Sequence, residues 1–509
     1  MVGGAASAVA FSIVANECHK LIRLLRYAAS VGRHYMTIRF DPLRGEVLKI
    51  SGNQIGMSVV PRKLSFSDPI LLRHILCLVI VVHNSFHLIL CCRQLKLCKR
   101  TSVPPKQMEG ILSQEAFQAS KDKQLHASSL EIFNIAIDTL YSCLDLYLCT
   151  LAFLWKLTVG WYHYADSTWL NVTFMTVFST YLVVRKLPSL FYEKLVLDPR
   201  YNVDPEKTPP LLGLICALVF VVVFLQVAVI PLTAIFMAIH MLSEWYFTLF
   251  VWLGLVGLSV LVLAFVGLFG VPCLGKSRKM NSTDMDNSLK AVLDDFNFPG
   301  RVYMVHTFHV GRPTAWVMGC CCCLRLDIHD NLKWNRGFSS DDFDWGQMGA
   351  GLNDEQLAAF VAHQLAHWQL WHVAKGLALI YFYLLIYLLL FGICNRWITL
   401  YAAAGFTTFY PSSVGFWLVY KYLMPIYHDI STWIVFFCIR HFEYAADAYV
   451  NRRGYGLPMR AALLKLFSDD YEFPYVDQCY LMWHRLRPSV LQRIDNLQRL
   501  NMINGVSTA

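Results

Sequence analysis

Charge is scarce in this chain: Asp, Glu, Lys and Arg make up only 16% of its 509 residues. A string of soluble domains of that length needs a better-solvated surface, so the shortage argues against one. What charge there is sums to a formal +9. That is modest and widely spread, which fits membrane topology bias and not a nucleic-acid footprint. Regular cysteine spacing is missing as well. Many of the 16 cysteines fall inside apolar runs, where bridging is disfavoured, and they read mostly as small hydrophobes. Acids are nearly absent from the first 40 residues, which resemble a basic, transit-type amphipathic segment. A targeting signal, a surface helix, and sequence outside the folded unit are all compatible with residues 1–69.

Apolar side chains take the place of charge. They form 56% of the sequence, aromatics 14%, and the mean hydropathy is +0.43. A hydrocarbon core about 30 Å thick is crossed by roughly 20 apolar residues of helix. Seven stretches qualify: 70–92, 130–155, 167–187, 210–238, 244–271, 373–394 and 414–438. Several carry ionisable residues in their interior, among them His83, Asp138 and Asp145. Such residues face a protein interior or a watery cavity, so either a hollow or a simply packed bundle is expected. The loop 93–129 holds seven Lys and Arg against three acids, which places it in the cytosol by the positive-inside rule. With seven spans, the hydrophilic insert 275–372 and the region after 440 are cytosolic too. The basic residues of 18–63 then fall on the lumenal side, against the same rule.

Chemistry has room in the insert. It opens with a helical pattern from Met285 to Phe296 and continues with strand-like runs at 301–305, 314–322 and 324–328. A helix follows whose start is marked by Asn353 and Gln356 at capping-box spacing. It runs into His363-Gln364-Leu365-Ala366-His367. Histidines at i and i+4 share one helical face and can reach one divalent ion. Taken alone, the spacing is also that of an ordinary core or surface helix. The end of the last span adds Glu443 and Asp447, again four residues apart. Glu443 is a candidate third ligand, and Asp447 a candidate partner that orients a ligand histidine.

These strings, taken in order, resemble the type I CAAX prenyl endopeptidases, integral membrane zinc metalloproteases of the endoplasmic reticulum. The resemblance runs from Val103-Pro104-Pro105 through Leu187 to Tyr192, Phe298-Pro299, and Ala315 to Gly319. It continues through His363 to His372, Phe442 to Tyr449, and Met482-Trp483-His484 to Pro488 and Arg493. It implies an all-α polytopic fold, a barrel of seven membrane helices around a large chamber, with a cytosolic α+β metalloprotease-like insert. It implies one Zn²⁺ held by His363, His367 and Glu443, with Asp447 in support. Arg493 matches an arginine of the C-terminal site motif, and the strand at Ala315 matches the edge along which a peptide lies. Prenylated CAAX proteins or other membrane-associated polypeptides are the implied partners, in the lipid bilayer, with no nucleic acid.

The departures bear on activity. Gln364 stands where the family has the glutamate that takes a proton from the attacking water, and a carboxamide cannot hold that proton at neutral pH. Thr314 replaces an asparagine, and Arg487 replaces a histidine before Pro488. Both family residues are donors suited to a developing oxyanion. Ala366 and Trp371 stand where the family favours glycine. The expectation is a catalytically impaired homologue that keeps zinc, with a working endopeptidase as the alternative. A channel or transporter is disfavoured by the paired zinc motifs. Cys320 to Cys323 alternate faces on a strand and do not chelate one ion easily. Cys91, Cys92 and Cys98 flank a span, where acylation is chemically open.

Overall fold

The computed structural model describes residues 68–503, apart from most of 202–244, from 266–276, 306–313, 320–323 and 333–350, and from a few shorter stretches. Helix α1 (Pro69–Arg100) has Asp68 as its N-cap, accepting from the Ile70 N–H at 2.9 Å, a proline in its first turn, and Lys99 and Arg100 in its last. Each feature satisfies an orphan N–H or complements the helix dipole. Helices α2 (Gln114–Tyr147) and α3 (Thr150–Trp161) meet at a bend of 63°. Cys149 takes a left-handed φ of +52° at that break, so the single span expected over 130–155 is two helices. Helix α4 (Ser167–Tyr192) includes Pro188 and runs into a π-turn at Glu193–Leu197. Helix α5 is Trp245–Phe265.

Among the described residues, three helical stretches are long and apolar enough to cross a bilayer: Pro69–Arg100, His372–Cys394 and Ser412–Arg452. The bent pair makes a fourth. The expected span over 210–238 lies largely outside the described residues. The count of seven is therefore not reached within them. These helices share an aromatic-rich core in which Phe174, Phe178, Phe391, Tyr401 and Tyr422 are almost fully enclosed. Asp145 is enclosed with them. It accepts from Tyr181 Oη (2.6 Å), Arg185 Nη1 (2.9 Å) and Lys421 Nζ (2.6 Å), while Arg185 also pairs with Asp138. Asp145 is thus partnered inside the helix bundle, as an apolar environment requires, whereas Asp138 lies at its exposed margin. Of the three cysteines flanking the first span, Cys91 and Cys98 are fully buried, and Cys92 alone is exposed.

The insert folds as a four-stranded sheet of order β1-β2-β4-β3 beside helices. The strands are β1 (Ser277–Lys279), β2 (Arg301–Val305), β3 (Ala315–Met318) and β4 (Arg325–His329). β2 and β4 pair in parallel, and the outer two strands are antiparallel to their neighbours. β1 has no apolar alternation, which is why sequence patterning passes over it. Cys320–Cys323 lie outside the described residues. Helix α6 (Asn287–Asp295) precedes β2. After β4 come α7 (Asp354–Gln369), α8 (His372–Cys394), α9 (Met424–Arg452), α10 (Gly456–Asp470), α11 (Gln478–His484) and α12 (Val490–Ile503). A second apolar core joins α6, the sheet, α7, the end of α9, α10 and α12 through Val292, Leu326, Val361, Ala446, Ala462 and Ile494. It is this core that positions the site.

Candidate metal centre

The helix α7 begins as its sequence dictates. Asn353 Oδ1 accepts from the Gln356 N–H at 2.8 Å, and Gln356 Oε1 accepts from the Asn353 N–H at 3.2 Å, closing a capping box. Leu357 to His363, Leu365 and Ala366 are all buried. A helix apolar all round belongs inside a protein. Its alanines let neighbouring helices approach closely, so the two histidines are carried into the core and not to the surface.

At the centre, His363 Nε2 lies 3.1 Å from His367 Nε2 and 3.3 Å from Glu443 Oε2, and His367 Nε2 is 3.9 Å from the same oxygen. A tetrahedral ion with bonds of about 2.0–2.1 Å separates its donors by about 3.3–3.4 Å. The two imidazoles and the carboxylate therefore fit a divalent cation with an N₂O donor set. The two imidazoles differ in protonation: burial and Arg493 work against a proton on His363, but Asp447 and Glu443 outweigh them and hold its pKa above the ordinary value. Arg493 Nη2 donates toward His363 Nε2 at 3.2 Å, which marks that nitrogen as an acceptor. Burial, with His363 alongside, pushes the His367 pKa down to about 3, so its imidazole is neutral at physiological pH.

A second ring of residues fixes these donors. Asp447 is fully buried one turn after Glu443 on α9, with Oδ1 3.1 Å from His363 Nδ1, close but off the hydrogen-bond axis. Arg493 on α12 donates from Nε and Nη2 to both Asp447 oxygens, at 2.9 and 2.7 Å, and its Nη1 is 3.4 Å from Glu443. Burial works against its charge, but Asp447 and Glu443 outweigh it, and its pKa lies above the ordinary guanidinium value. Arg487, mostly exposed, brings Nε to 3.3 Å from Glu443 Oε1. Six of the eight residues selected from sequence thus converge: His363, His367, Glu443, Asp447, Arg487 and Arg493. Gln364 sits half-buried on α7 beside both histidines. Thr314 does not join the donor triad: its carbonyl accepts from the His329 N–H at 3.1 Å, and its hydroxyl turns to the Ala315 carbonyl. It opens β3, the strand at the sheet edge that packs against α7.

Two contributors were not singled out in the sequence. His372 is buried, its Nδ1 is 2.9 Å from His367 Nδ1, and its ring stacks on Phe442. With His367 Nε2 turned to the donor triad, His367 Nδ1–H donates to His372, which fixes the tautomer. The five-residue offset from His367 spans the end of a helix, so helical periodicity does not reveal the pair. Trp371 makes the break with a φ of +57° and points outward, 71% exposed. It does not intrude on the site. Replacing His372 with Phe keeps the stack but removes the acceptor. Zinc affinity, measured by competition with a chromophoric chelator, is expected to fall about 10–100-fold. The second contributor is Arg440, one turn before Glu443. It donates to the carbonyls of Leu481, Met482 and Arg485 and so anchors the chain that leads to Arg487 and Arg493.

Comparison with known proteins gives the family and the fold. Residues 94–276 match the family model described as CAAX prenyl protease N-terminal, five membrane helices, and residues 281–501 match Peptidase family M48. A human CAAX prenyl protease 1 homologue is 21% identical over 436 residues, covering 80% of this chain and 91% of the relative. The Saccharomyces cerevisiae CAAX prenyl protease 1 is 20% identical over 446 residues, covering 82% and 93%. Among solved structures, S. mikatae Ste24p superposes with a TM-score of 0.67 at 19% identity, over 84% of this chain and 98% of that one. Two consecutive family models, relatives matched along most of their length and a shared fold make this chain a member of the CAAX prenyl protease family of M48 membrane metalloproteases.

Proposed function

We propose that this protein is a zinc-holding member of its family that binds prenylated or other membrane-associated polypeptides and hydrolyses them poorly. The single observation that carries the reading is a complete donor triad, with His363 and Glu443 buried and His367 partly so, and Gln364 next to His363 in the chain. M48 membership implies a metal, typically zinc. In this reading His363, His367 and Glu443 hold it, and Asp447 and Arg493 orient them. A zinc ion bound there supplies Lewis acidity toward a water or a peptide carbonyl. What residue 364 cannot supply at that point is a proton acceptor. The Gln364 side chain offers an N–H₂ donor and a carbonyl oxygen that stays unprotonated at neutral pH. Arg487 and Arg493 are permanent cations and accept no proton either.

The peptide's place in this reading is the outer edge of β3, which runs beside α7 and, among the described residues, pairs with no second strand. The seven-span barrel belongs to the same proposal, as do an endoplasmic reticulum location and a cytosolic zinc site. Relatives named as CAAX prenyl proteases support it. The working-endopeptidase alternative is favoured by one observation, the intact ligand set, since metal-assisted hydrolysis without a base is slow but not zero. Binding without turnover separates the two. A fluorescent farnesylated CAAX peptide is expected to bind the purified protein in detergent, its unprenylated form to bind more weakly, and no tripeptide to be released over many hours. Release at a rate that completes within minutes would sink the proposal.

A further inference from the structure

A second cluster of metal-ligating side chains lies among the apolar helices. His83 and His87 stand at i and i+4 on α1, on one face of the helix, and Asp429 faces them from α9. His83 Nδ1 is 2.9 Å and His87 Nε2 is 2.8 Å from the same oxygen, Asp429 Oδ2. Both imidazoles turn to one carboxylate oxygen, so three donor atoms converge on a single volume, all within 4.8 Å of one another. This repeats the donor set of the first centre, two imidazoles one turn apart and a carboxylate from α9. Asp429 precedes Glu443 by 14 residues, about 21 Å along α9 at 1.5 Å per residue.

The surroundings complete the pattern. The other nitrogen of His87, Nδ1, is 3.2 Å from His484 Nε2 on α11. His484 Nδ1 in turn faces Glu131 of α2 at 3.7 Å, and Tyr480 Oη donates to the second oxygen of that carboxylate. The Glu131 charge favours the proton on His484 Nδ1, so His484 Nε2 is free to accept from His87 Nδ1–H. At 2.8 Å His87 Nε2–H donates to the Asp429 carboxylate, and a divalent cation bound there would displace that proton and take the nitrogen's lone pair. A ligand imidazole whose other N–H is held by a neighbour is the usual second-shell arrangement. The three side chains are 17–19% exposed, so an ion has a way in. Ionisable groups inside a membrane-spanning helix are costly and call for a reason.

We infer that His83, His87 and Asp429 form a second site for a divalent transition-metal ion such as Zn²⁺, joining α1 to the helix that supplies Glu443 to the first centre. An N₂O set of this kind suits zinc better than magnesium or calcium, which take oxygen. The ion acts as a staple. It ties α1 to α9, and through His484 to the segment that leads to Arg487 and Arg493.

The test is zinc stoichiometry on the full-length purified protein, by mass spectrometry after equilibration with buffered Zn²⁺ and gel filtration. Wild type is expected to carry two equivalents. The pair His83→Gln and His87→Gln should carry one, and so should the pair His363→Ala and His367→Ala. If that second pair carries none, or if zinc content is unchanged by the glutamine pair, the inference is overturned. Wild type at one equivalent, lost only in the glutamine pair, would uphold this site and refute zinc at the first. Should the glutamine pair fail to fold, Asp429→Asn in the His363→Ala, His367→Ala background gives the same answer. Its zinc affinity is expected to fall at least about tenfold, and an unchanged affinity overturns the proposal.

Discussion

Replacing Gln364 with Glu is expected to raise single-turnover cleavage of a farnesylated CAAX peptide by about 10²–10⁴-fold, the usual contribution of a positioned general base. The substitution changes almost nothing else. Glutamine and glutamate have the same shape, and residue 364 already sits on α7 between the two histidines, half-buried. Metal content should therefore be equal in both proteins, because the residue is not a donor to the triad. A His363→Ala control reports how much turnover needs the metal. A gain with Glu shows that Thr314 and Arg487 are tolerated. No gain, with metal present and peptide bound, shifts the block to those two positions. If wild type already cleaves as fast as the Glu variant while His363→Ala does not, the impaired-enzyme reading is wrong.

The second large effect is on stability. Arg493→Ala removes both donors to Asp447 and leaves a fully buried carboxylate without its cation. Breaking a buried, hydrogen-bonded pair from one side costs about 3–5 kcal/mol. The thermal unfolding midpoint in detergent should drop clearly, and zinc affinity with it, because Asp447 no longer holds its place against His363. Arg493→Lys keeps the charge but not the planar fork and should recover only part of the loss. Arg487→Ala is the contrast. Its side chain is 71% exposed, and a solvent-screened pair is worth about 1 kcal/mol or less. Equal midpoints for Arg493→Ala and Arg487→Ala would show that the buried pair does not hold the site together.

The shortage of charge and the long apolar runs determined that this is a membrane protein. Local strings determined much of the site as well. The capping box at Asn353 and the i, i+4 pairs His363/His367 and Glu443/Asp447 depend on neighbours a few residues away, and a helix expresses such spacings directly. The family followed from motifs kept in order along the chain. Local pattern did not determine where helices break, because breaks such as Cys149 and Trp371 are single left-handed residues with no compositional mark.

It also left open which distant charges meet. Only the tertiary structure decided that Arg493 enters the core to pair with Asp447, 46 residues away, and that Arg440 holds the chain leading there. It likewise brought His83 and His87 to Asp429, and turned the Thr314 hydroxyl to the neighbouring Ala315 carbonyl. Such contacts depend on how helices pack against one another, which is set by shape and burial over the whole molecule and leaves no periodic trace in the sequence.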